Sequence, residues 1–149
     1  FQDLREMIQI TSAIRDDMVE HALREFPNEA CGLLAGSFGA SAANGGIPEA
    51  IADRFHAMRN ADASPVTYRL DPKEQLRAFD QIEEAGREVV GIVHSHTHTD
   101  AYPSETDRNQ AFYPEAHYLL VSLSDRANPV LRGYSIRDGE VEEQEVRIA

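Results

Sequence analysis

A chain of 149 residues and 16.6 kDa has the length of one domain, and 42% hydrophobic with 27% charged residues excludes a disordered composition. Twenty-six acidic against 14 basic residues leave a net charge of −12, which opposes nucleic-acid phosphates and anionic membrane surfaces as partners. No apolar run approaches the ~20 residues of a membrane span, residues 1–10 lack a signal-peptide pattern, and the lone Cys31 fits a reducing, cytoplasmic compartment.

The first predicted helix covers residues 15–26, with Met18, Ala22, Leu23 and Phe26 on one face and Pro27 as its stop. Residues 30–35 read as a short buried strand, in which Gly32 permits close approach of a neighbouring backbone. The Gly-, Ala- and Ser-rich residues 37–47 read as a loop. Residues 50–58 form the next predicted strand, and residues 66–70 alternate like another. Asp71-Pro72 opens a second helix with Leu76, Phe79 and Ile82 inward and Gly86 at its exit.

Residues 88–94 are apolar and β-branched, a strand, and Ser104 starts a helix ending near Pro114. Strands at 117–123, 130–136 and 141–148 complete the pattern, the last two joined by the turn signal Asp138-Gly139. The expected fold is α/β: a mixed sheet flanked by helices, in a single domain over 1–149.

The chemistry concentrates in residues 93–107, which run VHSHTHTDAYPSETD. Alternation along a strand turns His94 and His96 the same way, so a rigid element aims two imidazoles at one point. Two imidazoles and a carboxylate suit zinc, and a catalytic site keeps its fourth position open for water. The same pattern also describes a polar strand end running out to solvent. Asp107 is the best third ligand, yet Ser104-Glu105-Thr106-Asp107 is equally a capped helix start. Asp100 and His98 compete for the role, although the run to Pro103 argues against a strand that continues to His98.

Hydrolysis also needs a base, and Glu29 is the candidate, a charged residue at the entry to a buried strand. Its plainer reading is an exposed loop glutamate after Pro27-Asn28. Other chemistries are set aside, because H-E-x-x-H, C-x-x-C, a Gly-rich phosphate loop and the nucleobase-deaminase pattern are all absent. Cys31 reads as a buried, inert thiol. His21 falls on a polar helix face and His117 at a strand start; neither they nor His56 receive a role.

Together these residues resemble the JAMM (MPN+) metalloprotease signature: an upstream Glu, then H-[ST]-H, seven residues, Ser, two residues, Asp. Here it reads Glu29, His94-Ser95-His96, Ser104 and Asp107, with no gap, and the resemblance spans nearly the whole chain. The stretches 29–36, 68–70, 101–104 and 116–122 are most similar to the short bacterial, Mec-type branch. The resemblance implies a mixed sheet like that of cytidine deaminases, with one Zn2+ per chain on His94, His96 and Asp107. It implies Glu29 as general base and proton donor, and Ser104 as a stabiliser of the oxyanion. The implied reaction is hydrolysis after the C-terminal Gly-Gly of a ubiquitin-like sulfur-carrier protein, releasing cysteine, with the tail laid along a sheet edge. An isopeptidase acting on lysine is the alternative. A noncatalytic module of the same fold is disfavoured, because no metal residue is missing.

Overall fold

The structure is a computed structural model and describes residues 6–40 and 48–149. Its elements are β1 (Met7–Ile10), α1 (Ser12–Glu25), β2 (Cys31–Ala40), β3 (Pro48–Met58), α2 (Pro72–Glu84), β4 (Glu88–His96), α3 (Glu105–Asn109), β5 (His117–Ser122), β6 (Val130–Arg137) and β7 (Glu140–Ile148). The strands lie in the order β1-β3-β2-β4-β5-β6-β7, and β1 also pairs in parallel with β7, so the mixed sheet closes on itself. The expected mixed sheet with helices is present. Its closure rests on β1, whose four residues are too few to show a periodicity in sequence. Each of the seven strands has two neighbours, which corrects the expectation that a strand of the sheet offers a free edge.

Thr11 caps α1, its hydroxyl accepting from the Ile14 N–H at 3.1 Å. The buried stripe is Ile14, Met18, His21 and Ala22, while Leu23 is 41% exposed and leaves the predicted face. Leu23 sits ~100° round the helix from Ala22, too far to share a stripe set by i, i+4 and i+7 spacing. His21 is a second correction: it is buried, not on a polar face, because two strand carbonyls receive it. Its Nε2 lies 3.0 Å from the Cys31 carbonyl and 3.3 Å from that of Met58.

Asp71 caps α2 by accepting from the Glu74 N–H at 3.1 Å, with Pro72 in the first turn. Ala78 and Ile82 are buried, Phe79 is half-buried, and Leu76 is 63% exposed. Leu76 lies ~200° from Ala78, on the side opposite the buried pair. The exit is as expected, with Gly86 at φ +68° where only glycine is unstrained.

Residues 66–70 are not a strand; only the isolated bridge Asn60–Leu70 forms there. The Asn60 side chain takes the place of a partner strand, donating to the Thr67 carbonyl and accepting from the Arg69 N–H, at 2.9 and 3.0 Å. Residues 37–40 extend β2 rather than belonging to a loop, and the rest of that predicted loop, 41–47, lies outside the described residues. So do residues 1–5 of the N-terminal stretch considered above. The helix opened by Ser104 is shorter than expected and ends at Asn109.

Side chains on the two faces of the sheet form two cores. One gathers Met18 and Ala22 of α1 with Leu34, Val90, Val93 and Leu119. The other gathers Ala78 and Ile82 of α2 with Cys31, Leu33, Ile92, Tyr118, Leu120 and Tyr134. A Cβ on Gly32 would stand 2.5 Å from the His56 carbonyl oxygen, so the close approach of β3 needs glycine there. No helix among the described residues is long and apolar enough to cross a membrane.

Candidate active site and metal centre

The parity of β4 places His94 and His96 on the face of Ile92, toward the second core, at the strand's C-terminal end. Antiparallel β2 sets Cys31 opposite His94. One step further, the Ser95 N–H donates to the Ala30 carbonyl at 3.0 Å, and Ser95 Oγ accepts from the Ala30 N–H at 2.7 Å. Continuing that register brings Glu29 level with His96, on the same face as the two histidines.

The loop after β4 then delivers α3. Ser104 Oγ accepts from the Asp107 N–H at 3.1 Å and Asp107 Oδ2 accepts from the Ser104 N–H at 2.9 Å, a complete capping box. The same Oδ2 lies 2.9 Å from His96 Nε2 and 3.1 Å from His94 Nε2. The capping and convergence readings of Asp107 are therefore compatible. One ligand atom from each of His94, His96 and Asp107 lies within 4.8 Å of the others, and all three side chains are buried.

Two features of this cluster fit a metal. Both ring nitrogens of His94 are buried without a hydrogen bond, an expensive state for a polar group unless something else engages it. His96 Nδ1–H donates to the Asp100 carbonyl at 2.8 Å, which fixes the ring and turns Nε2 toward the cluster. Two imidazole nitrogens and one carboxylate oxygen are the donor set of an open, three-ligand site.

The charges respond to this crowding. Burial alone would raise the Asp107 carboxyl, but the His94 and His96 imidazoles close against it, with the Ser104 N–H, hold it well below the ordinary range. Burial pushes His94 below the usual imidazole value, outweighing Asp107. In His96 burial is outweighed by the hydrogen bonds to Asp107 and Asp100, so its pKa is raised. Glu29 is 4% exposed, its Oε1 has no hydrogen-bond partner, and burial pushes its carboxyl up to about 8. The exposed loop glutamate considered as its alternative is not what is found.

His98 and Asp100 do not join the cluster as ligands. His98 is exposed and turns its ring edge-on to Phe26, at 5.8 Å between centroids. Asp100 contributes its backbone carbonyl only. Sequence reasoning missed three residues that hold the site. Asn60 donates to the Glu29 carbonyl at 3.0 Å while the Glu29 N–H donates to Ser64 at 2.9 Å. Ser95 clamps Ala30 as described. Tyr68 stacks on His94, with ring centroids 4.2 Å apart and planes at 18°. Asn60 carried only the weak signal of an Asn in a turn.

Residues 11–136 match the family model of prokaryotic homologs of the JAB domain. The chain belongs to this family. It is 44% identical to the CysO-cysteine peptidase of Mycobacterium tuberculosis, over 95% of this chain and 91% of that protein. It is 35% identical to the desampylase of Haloferax volcanii, covering 80% and 83% of the two chains. Among solved structures, one from Desulfitobacterium hafniense superposes with a TM-score of 0.82 at 34% identity, covering 96% of this chain and 93% of that one.

Proposed function

We propose that this JAB-domain chain is a zinc-dependent peptidase that cuts after the C-terminal Gly-Gly of a ubiquitin-like sulfur carrier and releases cysteine. The observation that carries the catalytic part is the buried, unpartnered Glu29 carboxyl level with the convergent His94, His96 and Asp107. The likeness to the mycobacterial peptidase over nearly the whole chain supports the substrate. His94, His96 and Asp107 would hold the zinc, which when bound supplies Lewis acidity toward the scissile carbonyl and toward water.

Glu29 then takes a proton from the attacking water as its oxygen bonds to the glycine carbonyl carbon. It hands that proton to the cysteine nitrogen as the C–N bond breaks, leaving a free amine on cysteine and a carboxylic acid on the carrier, whose remaining water proton is then lost to solvent. A carboxyl raised by burial suits both steps, since it neither holds nor loses its proton too firmly near neutral pH. Ser104 Oγ accepts the capping bond, and its own proton is left to donate to the developing oxyanion.

The tail would approach beside Tyr68 rather than along a sheet edge. Among the described residues no hydrogen bond uses the N–H or C=O of Tyr68, whose ring covers His94. An extended Gly-Gly tail would pair with that backbone. A cleft of about 430 Å³ bounded by Tyr68, Arg69, Phe112 and Tyr113 opens along it. The single Cys31 is buried and unpaired, which suits a cytoplasmic setting.

Removal of a modifier from lysine is the second reading, favoured by the likeness to the desampylase. Intact mass spectrometry separates the two, using a Gly-Gly-tailed carrier that bears one C-terminal cysteine. Loss of that one residue, blocked by a chelator and by Glu29→Gln, is the expected result. An unchanged mass with zinc bound at one per chain would overturn cysteine release and point to the isopeptide bond.

A further inference from the structure

Residues 97–103 carry the chain from β4 to α3, and so set where Asp107 stands relative to His94 and His96. They form neither strand nor helix. Three successive carbonyls of this loop are nevertheless each held by a side chain from a different strand. Ser122, at the end of β5, donates its hydroxyl to Thr99 at 2.7 Å. His96 of β4 donates Nδ1–H to Asp100 at 2.8 Å. Tyr134 of β6 donates its hydroxyl to Ala101.

Tyr134 is 2% exposed and packs in the second core beside Ala101, with Tyr102 edge-on to its ring at 5.6 Å. A phenylalanine would fill the same space. A buried hydroxyl is tolerated only when bonded, and this one has a single partner, the loop carbonyl.

We propose that Tyr134 is a positioning residue for the metal site, acting through the Ala101 carbonyl on the loop that orients His96. The proposal rests on the metal reading of His94, His96 and Asp107. A histidine ligand must keep its proton on the nitrogen that faces away from the metal, and the outer acceptor decides which nitrogen that is. Here the acceptor is a main-chain carbonyl in an irregular loop, with no helix or sheet to fix its direction. The Tyr102 N–H holds that carbonyl locally at 2.8 Å, and Ser122 of the adjoining β5 and Tyr134 of β6 fix the carbonyls on either side of it.

The test compares metal-free wild type with Tyr134→Phe, titrating Zn2+ against a chromophoric chelator. Zinc binding about tenfold weaker is expected, in the range for loss of outer-shell partners. Ser135→Ala, one residue along β6, breaks a buried bond to Gln144 without touching the loop and should stay within twofold of wild type. Nitrogen-detected NMR of the metal-free protein supplies a second readout, the His96 Nδ1–H signal, which Tyr134→Phe should broaden or erase. If Tyr134→Phe fails to fold, Ser122→Ala reads the same loop through Thr99. Wild-type zinc affinity and an unchanged Nδ1–H signal in a folded variant would overturn the proposal. A wild type that binds no zinc overturns the metal reading instead, and the Nδ1–H signal then decides the role of Tyr134 alone.

Discussion

The parallel pair β4 and β5 buries imidazoles at both of its ends, with opposite results. At one end His94 and His96 face Asp107, and His96 is held more basic than usual. At the other, His117 stands opposite Gly91, 3% exposed, with Nδ1 lacking any partner and its pKa pushed down to about 4 by burial. Burial by itself therefore pushes a histidine toward its neutral form. At the cluster end the Asp107 carboxylate outweighs burial for His96, though not for His94.

The sharpest way to break this contrast is to remove a member of the cluster. His96→Ala should lose zinc and at least about 10³-fold in kcat/KM, read by metal content and turnover of the cysteine-tailed carrier. Zinc retained at one per chain would move the ligand role to another residue. Glu29→Gln should keep zinc and fold but lose about 10²–10⁴-fold in kcat, the usual worth of a positioned acid-base group. Full activity in that variant removes Glu29 from the mechanism.

Ser104→Ala should cost about 10²-fold in kcat and ~1 kcal/mol in stability from the lost cap. An unchanged rate with reduced stability would leave Ser104 as a cap only. The smallest effect is at the other end of the pair. Its depressed pKa means His117 contributes stability that is present above about pH 6.5 and lost as pH falls toward about 4. Urea unfolding of wild type and His117→Gln should differ by about 2 kcal/mol in their change between pH 7.5 and pH 5, the other titrating groups, Glu29 among them, being common to both. An identical pH slope in the variant would place the acid sensitivity elsewhere.

The His94–His96–Asp107 cluster was legible in sequence because it is local. Strand parity pairs His94 with His96, while Asp107 stood beside His98 and Asp100 until the family resemblance selected it. Glu29 was legible only by its oddness at a strand entry, since its burial comes from the pairing of β2 with β4. Asn60, Ser95 and Tyr68 received no role of their own, because each acts on a residue brought near by the fold: Asn60 reaches Glu29 across 31 positions, and Ser95 reaches Ala30 across 65. His21 was misplaced for the same reason. Its helical position looks polar until the carbonyls of Cys31 and Met58, from two different strands, are set beside it. Leu23 and Leu76 show the converse: hydrophobic residues left outside because the stripe had already been fixed by neighbours.

The ring of strands also has a history. β1 is made early, yet one of its two neighbours is β7, paired through Met7–Glu145 to Ile10–Ile148. Residues 29 to 107, which carry the whole cluster, leave the ribosome before that seam can be sewn. The nascent chain must therefore hold β1 against β3 with one flank bare, and a ribosome stalled before β7 would present two sticky strand edges, on β1 and β6. A chain without its final nine-residue strand would expose two strand edges, the feature that favours aggregation, with the whole Glu29–Asp107 segment still intact.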